Sequence, residues 1–118
     1  DYYPKFKKWC DEYFYLKHRN EPRGIGGIFF DYLHTDDWGK DFEFVQDVGM
    51  YFQNFVKDTL NTLKNDKWSD EDKKKQLIKR SRYAEFNLLY DRGTKFGLET
   101  GGNIDAILMS MPPIAIWE

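Results

Sequence analysis

From Asp41 to Leu63 the residues Val45, Val48, Phe52, Phe55, Val56, Leu60 and Leu63 recur at steps of three and four. That spacing predicts one long amphipathic helix with a continuous apolar stripe. Gly49 lies within it and costs about 1 kcal/mol of helix propensity, while permitting close packing. A shorter helix is predicted after Pro4, where Phe6, Trp9, Cys10, Tyr13 and Phe14 share a face until about Lys17. Glu21-Pro22 breaks that pattern. Ser69-Asp70-Glu71-Asp72 reads as the capped, acidic first turn of a lysine-rich helix running to about Arg82.

Elsewhere the pattern points to strands. Arg23-Gly24-Ile25-Gly26-Gly27-Ile28-Phe29-Phe30-Asp31-Tyr32-Leu33 ends in β-branched and aromatic residues, predicting a strand entered through glycines, with something close against the backbone. Tyr83 to Tyr90 alternates, with Tyr83, Glu85, Asn87 and Leu89 on one face and Ala84, Phe86, Leu88 and Tyr90 on the other. Lys95–Glu99 and Ile104–Met111 are read as further short strands, the last stopped by Pro112-Pro113. Asp91-Arg92-Gly93-Thr94 and Thr100-Gly101-Gly102-Asn103 are the turns between them. The fold class expected is therefore α+β, an antiparallel sheet flanked by helices.

Composition narrows the function classes. A chain of 118 residues fits one domain, and a net charge of -2 gives no electrostatic footprint for nucleic acid. No apolar run approaches the length of a membrane span. The lone Cys10 can form no internal disulfide and is read as a packed thiol. Aromatic residues reach 19%, more than usual, and are read first as core and interface. The chain opens on Asp1-Tyr2-Tyr3-Pro4 and stops at Ile116-Trp117-Glu118, and both ends read as cut.

Metal chemistry finds no ligand spacing, since His18 and His34 stand apart in expected linkers beside a single cysteine. The glycine-rich stretch lacks the third glycine and preceding strand of a dinucleotide fingerprint. Three features suit an anionic guest. Arg92 can fork onto a carboxylate while Asp91 accepts an N–H or a proton. Gly101, Gly102 and Asn103 offer open backbone N–H groups, and Arg23 precedes the glycine-rich stretch. Each also has an ordinary reading as turn chemistry or a salt bridge. If Lys95–Glu99 is a strand, the Asp-Arg and Gly-Gly-Asn turns lie roughly 17–20 Å apart.

These stretches also carry a resemblance. Arg23 to Asp31, Tyr83-Ala84-Glu85-Phe86-Asn87-Leu88-Leu89-Tyr90-Asp91-Arg92-Gly93-Thr94-Lys95-Phe96-Gly97-Leu98, and Ile107-Leu108-Met109-Ser110-Met111-Pro112-Pro113 resemble signatures of the aerobic, oxygen-dependent coproporphyrinogen III oxidases. The resemblance implies that residues 1–118 are a C-terminal portion of one larger domain, lacking an N-terminal part and a short C-terminal piece. It implies oxidative decarboxylation of two propionates of coproporphyrinogen III to vinyls, using O₂ as co-substrate and no metal or organic cofactor. It further implies a homodimer formed through Tyr83 to Trp117, in bacterial cytoplasm or, in eukaryotes, mitochondria.

By the same resemblance, Asp91 and Arg92 are catalytic, while Gly101, Gly102, Asn103 and Arg23 bind substrate. Many members carry Arg where Asn103 stands, which exchanges a charge for a neutral amide. The proton-donor histidine of the family belongs to the absent part, so neither His18 nor His34 takes that role. Two alternatives stay open: a catalytically incomplete core or dimerisation fragment, and a non-enzymatic tetrapyrrole-binding module.

Overall fold

The computed structural model describes residues 1–118. Its elements are α1 (Tyr3–Tyr13), β1 (Tyr15–Leu16), β2 (Glu21–Pro22), α2 (Trp38–Leu63), α3 (Asp70–Leu89), α4 (Arg92–Glu99) and α5 (Ile104–Ile107). The architecture is helix-rich α+β, with one small antiparallel sheet pairing Tyr15 with Pro22 and Leu16 with Glu21. The chain divides into two compact units, one of Asp1–Phe29 with Ser69–Glu118, the other of Phe30–Trp68. No helix is long and apolar enough to cross a membrane.

In the first unit, α1 and α3 share a core drawn from distant parts of the sequence. Phe6, Cys10, Leu16, Ala84 and Phe86 are its buried apolar residues. Aromatic rings surround it: Phe29 stacks on Tyr13 at 4.5 Å and meets Phe14 edge-on at 5.1 Å. Phe86 meets Phe14 edge-on at 5.1 Å. Such offset and edge-to-face pairs suit the ring quadrupoles, and they account for part of the aromatic content as core. Cys10 is the packed thiol its context suggested, and burial pushes its pKa up.

α3 begins as the sequence predicts. Ser69 accepts from the Asp72 N–H at 3.2 Å, and the Asp72 carboxylate accepts from the Ser69 N–H at 3.0 Å, a reciprocal capping box. It does not end near Arg82, however. Tyr83–Tyr90 is not a strand: α3 runs on to Leu89, and the Tyr90 N–H closes its last turn on Phe86 O. The stretch holds no Gly, Pro or β-branched residue, so extending an existing helix avoids the cost of a new nucleus. Ser81, Ala84 and Glu85 then lie on one buried face, at helical spacing.

The other expected strands are also absent. Lys95–Glu99 lies in α4, capped by Asp91. Ile104–Met111 begins as α5, capped by Asn103, and continues as turns. In both places the short polar side chain that suggested a turn starts a helix instead. Residues 23–33 form no strand, because Gly26 and Gly27 hold φ of +101° and +153°, which breaks any ladder. The expected close approach is real: a Cβ on Gly26 would lie 3.2 Å from Asp11 Oδ1.

The second unit is dominated by α2. Asp37 caps it, accepting from the Lys40 N–H at 3.1 Å, and Thr35 donates to Asp41 through both its N–H and its hydroxyl. Phe30 packs edge-on against Phe44 at 5.3 Å. None of the 26 residues of α2 is buried.

Candidate functional site

Where β2 gives way to the glycines, the first unit holds a cavity of about 770 Å³. That lies within the size range of small-molecule pockets, roughly 300–1,000 Å³. Its walls include Phe14, Arg23, Gly26, Lys79, Arg80 and Tyr83, with Cys10, Asp11 and Glu21 beside them. Arg23 is fixed at both ends. Its N–H donates to Phe14 O at 2.9 Å, and its guanidinium lies 3.9 Å from the Phe14 ring centre, 4.9 Å from Tyr83 and 5.2 Å from Phe86. Aromatic faces attract the cation without using its five N–H donors, which remain free to fork onto a carboxylate.

The charges around the cavity come largely from α3. Arg80 lies 4.6 Å from the Tyr83 ring centre. Glu21 accepts from Arg82 Nε at 2.6 Å and from Lys79 Nζ at 3.2 Å, and the Arg82 contact holds its carboxyl below the usual range. With Glu21 paired to Arg82 and Lys79, Asp11 faces Arg23, Lys75 and Arg80 around the cavity. The balance favours an anionic guest, and the ring faces favour a flat or apolar one.

A second cluster gathers on buried Glu85. Its carboxylate accepts from Arg19 Nε at 2.6 Å and Nη2 at 2.5 Å, from His18 Nε2 at 2.8 Å, and from Trp117 Nε1 at 2.8 Å. The Arg19 pair, aided by His18 and Trp117, outweighs burial and holds the Glu85 pKa at about 2. A carboxylate can only accept, so His18 Nε2 carries the proton. In the neutral ring, Nδ1 then accepts from the Tyr90 hydroxyl, 2.8 Å away. The histidine therefore serves as a hydrogen-bonding bridge between Glu85 and Tyr90. His34 lies 3.1 Å from Asp36 on the surface. No group of three or more His, Cys, Asp or Glu is arranged to hold a metal ion.

Of the residues singled out by sequence, only Arg23 lines the cavity. Asp91 is half-buried at the α3–α4 junction, where its Oδ2 accepts from the Thr94 N–H at 2.7 Å and hydroxyl at 2.9 Å. Arg92, in the first turn of α4, is exposed. Gly101 takes the left-handed φ of +71° that its turn needs, and the Gly102 N–H donates to Gly97 O at 2.9 Å. Asn103 is exposed, its Oδ1 accepting from the Ala106 N–H at 3.2 Å. With a helix rather than a strand between them, the two turns are separated by only about 12 Å of axial rise.

Sequence reasoning missed Glu85, Arg19 and Trp117 as a group, and missed Lys79 and Arg80 as cavity walls. Read as helix, Glu85 falls one turn beyond Ser81 and beside Ala84, on the face that α3 buries. The strand reading had put it on the polar face.

The family profile described as coproporphyrinogen III oxidase matches residues 1–118. The chain is 60% identical over 116 residues to the oxygen-dependent coproporphyrinogen-III oxidase of Rickettsia bellii (strain OSU 85-389), covering 98% of this chain and 42% of that protein. It is 62% identical over 112 residues to the Rickettsia akari (strain Hartford) protein of the same name, covering 95% of this chain and 40% of that one. For Rickettsia rickettsii (strain Sheila Smith) the identity is 61% over 112 residues. The chain thus spans less than half the length of these relatives. A match of this extent and identity leaves one assignment, and the chain belongs to the coproporphyrinogen III oxidase family.

Proposed function

We propose that a protein carrying this chain catalyses the oxygen-dependent oxidative decarboxylation of coproporphyrinogen III. Two propionates become vinyls, giving protoporphyrinogen IX, and two O₂ are reduced to hydrogen peroxide as two CO₂ leave. In this reading the porphyrinogen supplies the electrons and O₂ accepts them, so no cofactor is needed. The observation that carries it is the 60% identity, over nearly the whole chain, to a protein of that name. The cavity beside Arg23 adds chemical sense, because basic groups and ring faces suit an aromatic-walled seat for carboxylate arms.

Asp91 is the group proposed to bind pyrrole N–H. Both Thr94 donors fall on Oδ2, which leaves Oδ1 for a guest. Arg92, exposed beside it, would hold a propionate or a developing peroxide anion. Gly101, Gly102 and Asn103 would meet another propionate through backbone and amide. The working assembly is proposed to be a cytoplasmic homodimer paired through Tyr83 to Trp117. This chain corresponds to 42% of the R. bellii protein, so we read it as insufficient for turnover by itself.

The test is a chimera in which this chain replaces the matching 116 residues of the R. bellii protein. After anaerobic loading with coproporphyrinogen III and admission of O₂, the chimera is expected to yield protoporphyrinogen IX, and the chain alone none. Asp91→Asn in the chimera should cut kcat by about 100-fold or more while leaving thermal stability unchanged, since Asn caps a helix about as well as Asp. A folded chimera without product would overturn the activity, and undiminished turnover in D91N would remove Asp91 from it.

A further inference from the structure

Arg23 and Arg80 are the two guanidiniums on the cavity wall, and both lie against one ring, 4.9 Å and 4.6 Å from the centre of Tyr83. Both are half-buried, and neither makes an ion pair. By contrast, Arg19 is paired with Glu85 and Arg82 with Glu21. The acids of the cavity wall are committed elsewhere, Asp11 to Lys7 at 2.6 Å and Glu21 to Arg82 and Lys79. Two cations partly removed from water are thus left without a counter-charge, and attraction to the ring is modest beside the hydration they give up. A carboxylate guest supplies the missing partner through the N–H forks that ring stacking leaves open.

Which arm of a porphyrinogen such a clamp can hold follows from the bond changes of the proposed reaction. In each reacting arm the C–C bond to the carboxylate breaks, its electron pair enters the new C=C, and CO₂ leaves uncharged. The ring-side carbon gives up a proton and two electrons. O₂ takes both electrons and, with that proton and a second from solvent, leaves as hydrogen peroxide. The reacting carboxylate therefore loses its negative charge as the bond breaks. Guanidiniums gripping it would bind the ground state more strongly than the transition state, which raises the barrier. Paired cations suit an arm that keeps its charge throughout.

We propose that Arg80, together with Arg23, clamps propionate that the product retains, so that the pair positions the macrocycle and leaves the chemistry to the other arms. This clamp presupposes the activity proposed above.

Two oxidised porphyrins that cannot react separate the arms, each titrated into the R. bellii chimera and followed by absorbance. Coproporphyrin III carries the retained and the reacting propionates. Mesoporphyrin IX carries only the retained pair, with ethyl groups where the others would be. Arg80→Gln is expected to weaken both by the same factor, about tenfold or more. Weakening of coproporphyrin III alone would assign the clamp to the reacting arms and overturn the proposal, as would no weakening of either. Arg80 makes no hydrogen bond or ion pair, so the change removes none from the fold. Should it still prevent folding, Arg80→Lys keeps the charge and loses the fork, and is expected to weaken both probes by about threefold or more. With coproporphyrinogen III and O₂, KM should rise in step with the probe Kd while kcat falls by less than about threefold. A larger loss of kcat would place Arg80 in the chemistry and overturn the proposal. The titrations need no turnover. Their failure in an active chimera overturns the clamp alone, and their success in a folded chimera that forms no product overturns the activity alone.

Discussion

Glu85 is charged, buried and satisfied by three partners, which ties the stability of the first unit to pH. Its pKa is about 2 in the fold against 4.5 for an unperturbed glutamate. A depressed carboxylate pKa stabilises the folded chain fully above the unfolded value, and the effect fades as pH falls through the folded one. At 1.36 kcal/mol per unit this amounts to at most about 3 kcal/mol, present above pH 4.5 and gone near pH 2. Glu85→Gln removes the charge and leaves Arg19 without its bidentate partner. We expect it to cost about 2–3 kcal/mol in urea unfolding at pH 7. The difference from the parent chain should shrink between pH 4.5 and 2. A difference that is flat across that window would show that Glu85 acts through packing alone.

At the scale of elements, caps decide where helices begin. Ser69 and Asp72 satisfy each other's N–H groups at the start of α3, whose first turn also carries Asp70 and Glu71 against the positive end of the dipole. Ser69→Ala should lower unfolding free energy by about 1 kcal/mol, with circular dichroism showing loss at the first turn only. That cap was legible in the sequence, as was α1 from Pro4 and its apolar spacing; α2 was legible from its periodicity alone, and its start at Trp38 under the Asp37 cap was not. Less legible was the stretch after Arg82. Tyr83–Tyr90 alternates in polarity, yet as a helix it buries Ala84, Glu85 and Phe86 side by side, which alternation does not foretell. What decided it was tertiary: Arg19, His18 and Trp117 converge on Glu85, so a residue that looked solvent-facing is interior. The candidate site divided in the same way. Arg23 stands out in the sequence beside its glycines and lines the cavity, whereas Lys79 and Arg80 reach its wall only because α3 packs beside β2.

Across the whole chain, the first unit is made from both ends of the sequence. Phe6, Cys10 and Leu16 from its N-terminal part and Ala84 and Phe86 from its C-terminal part are all of its buried apolar residues, a small core for a unit of this size. The C-terminal residues compensate by lying along α3. Ile116 N–H donates to Leu77 O at 3.2 Å, Lys74 pairs with Glu118 at 2.9 Å, and Trp117 reaches Glu85. The exposed Lys74–Glu118 pair contributes little, since solvent screens it. Trp117 contributes more, because its N–H meets a buried, charged acceptor. Trp117→Phe keeps the ring and removes the donor, and should cost about 1–2 kcal/mol. Because the partner is specific, the loss should nearly vanish in a Glu85→Met background, which keeps the length of the side chain and removes the acceptor. A double-mutant cycle would then give a coupling of about 1–2 kcal/mol, and additive losses would mean that Trp117 holds α3 by ring packing alone.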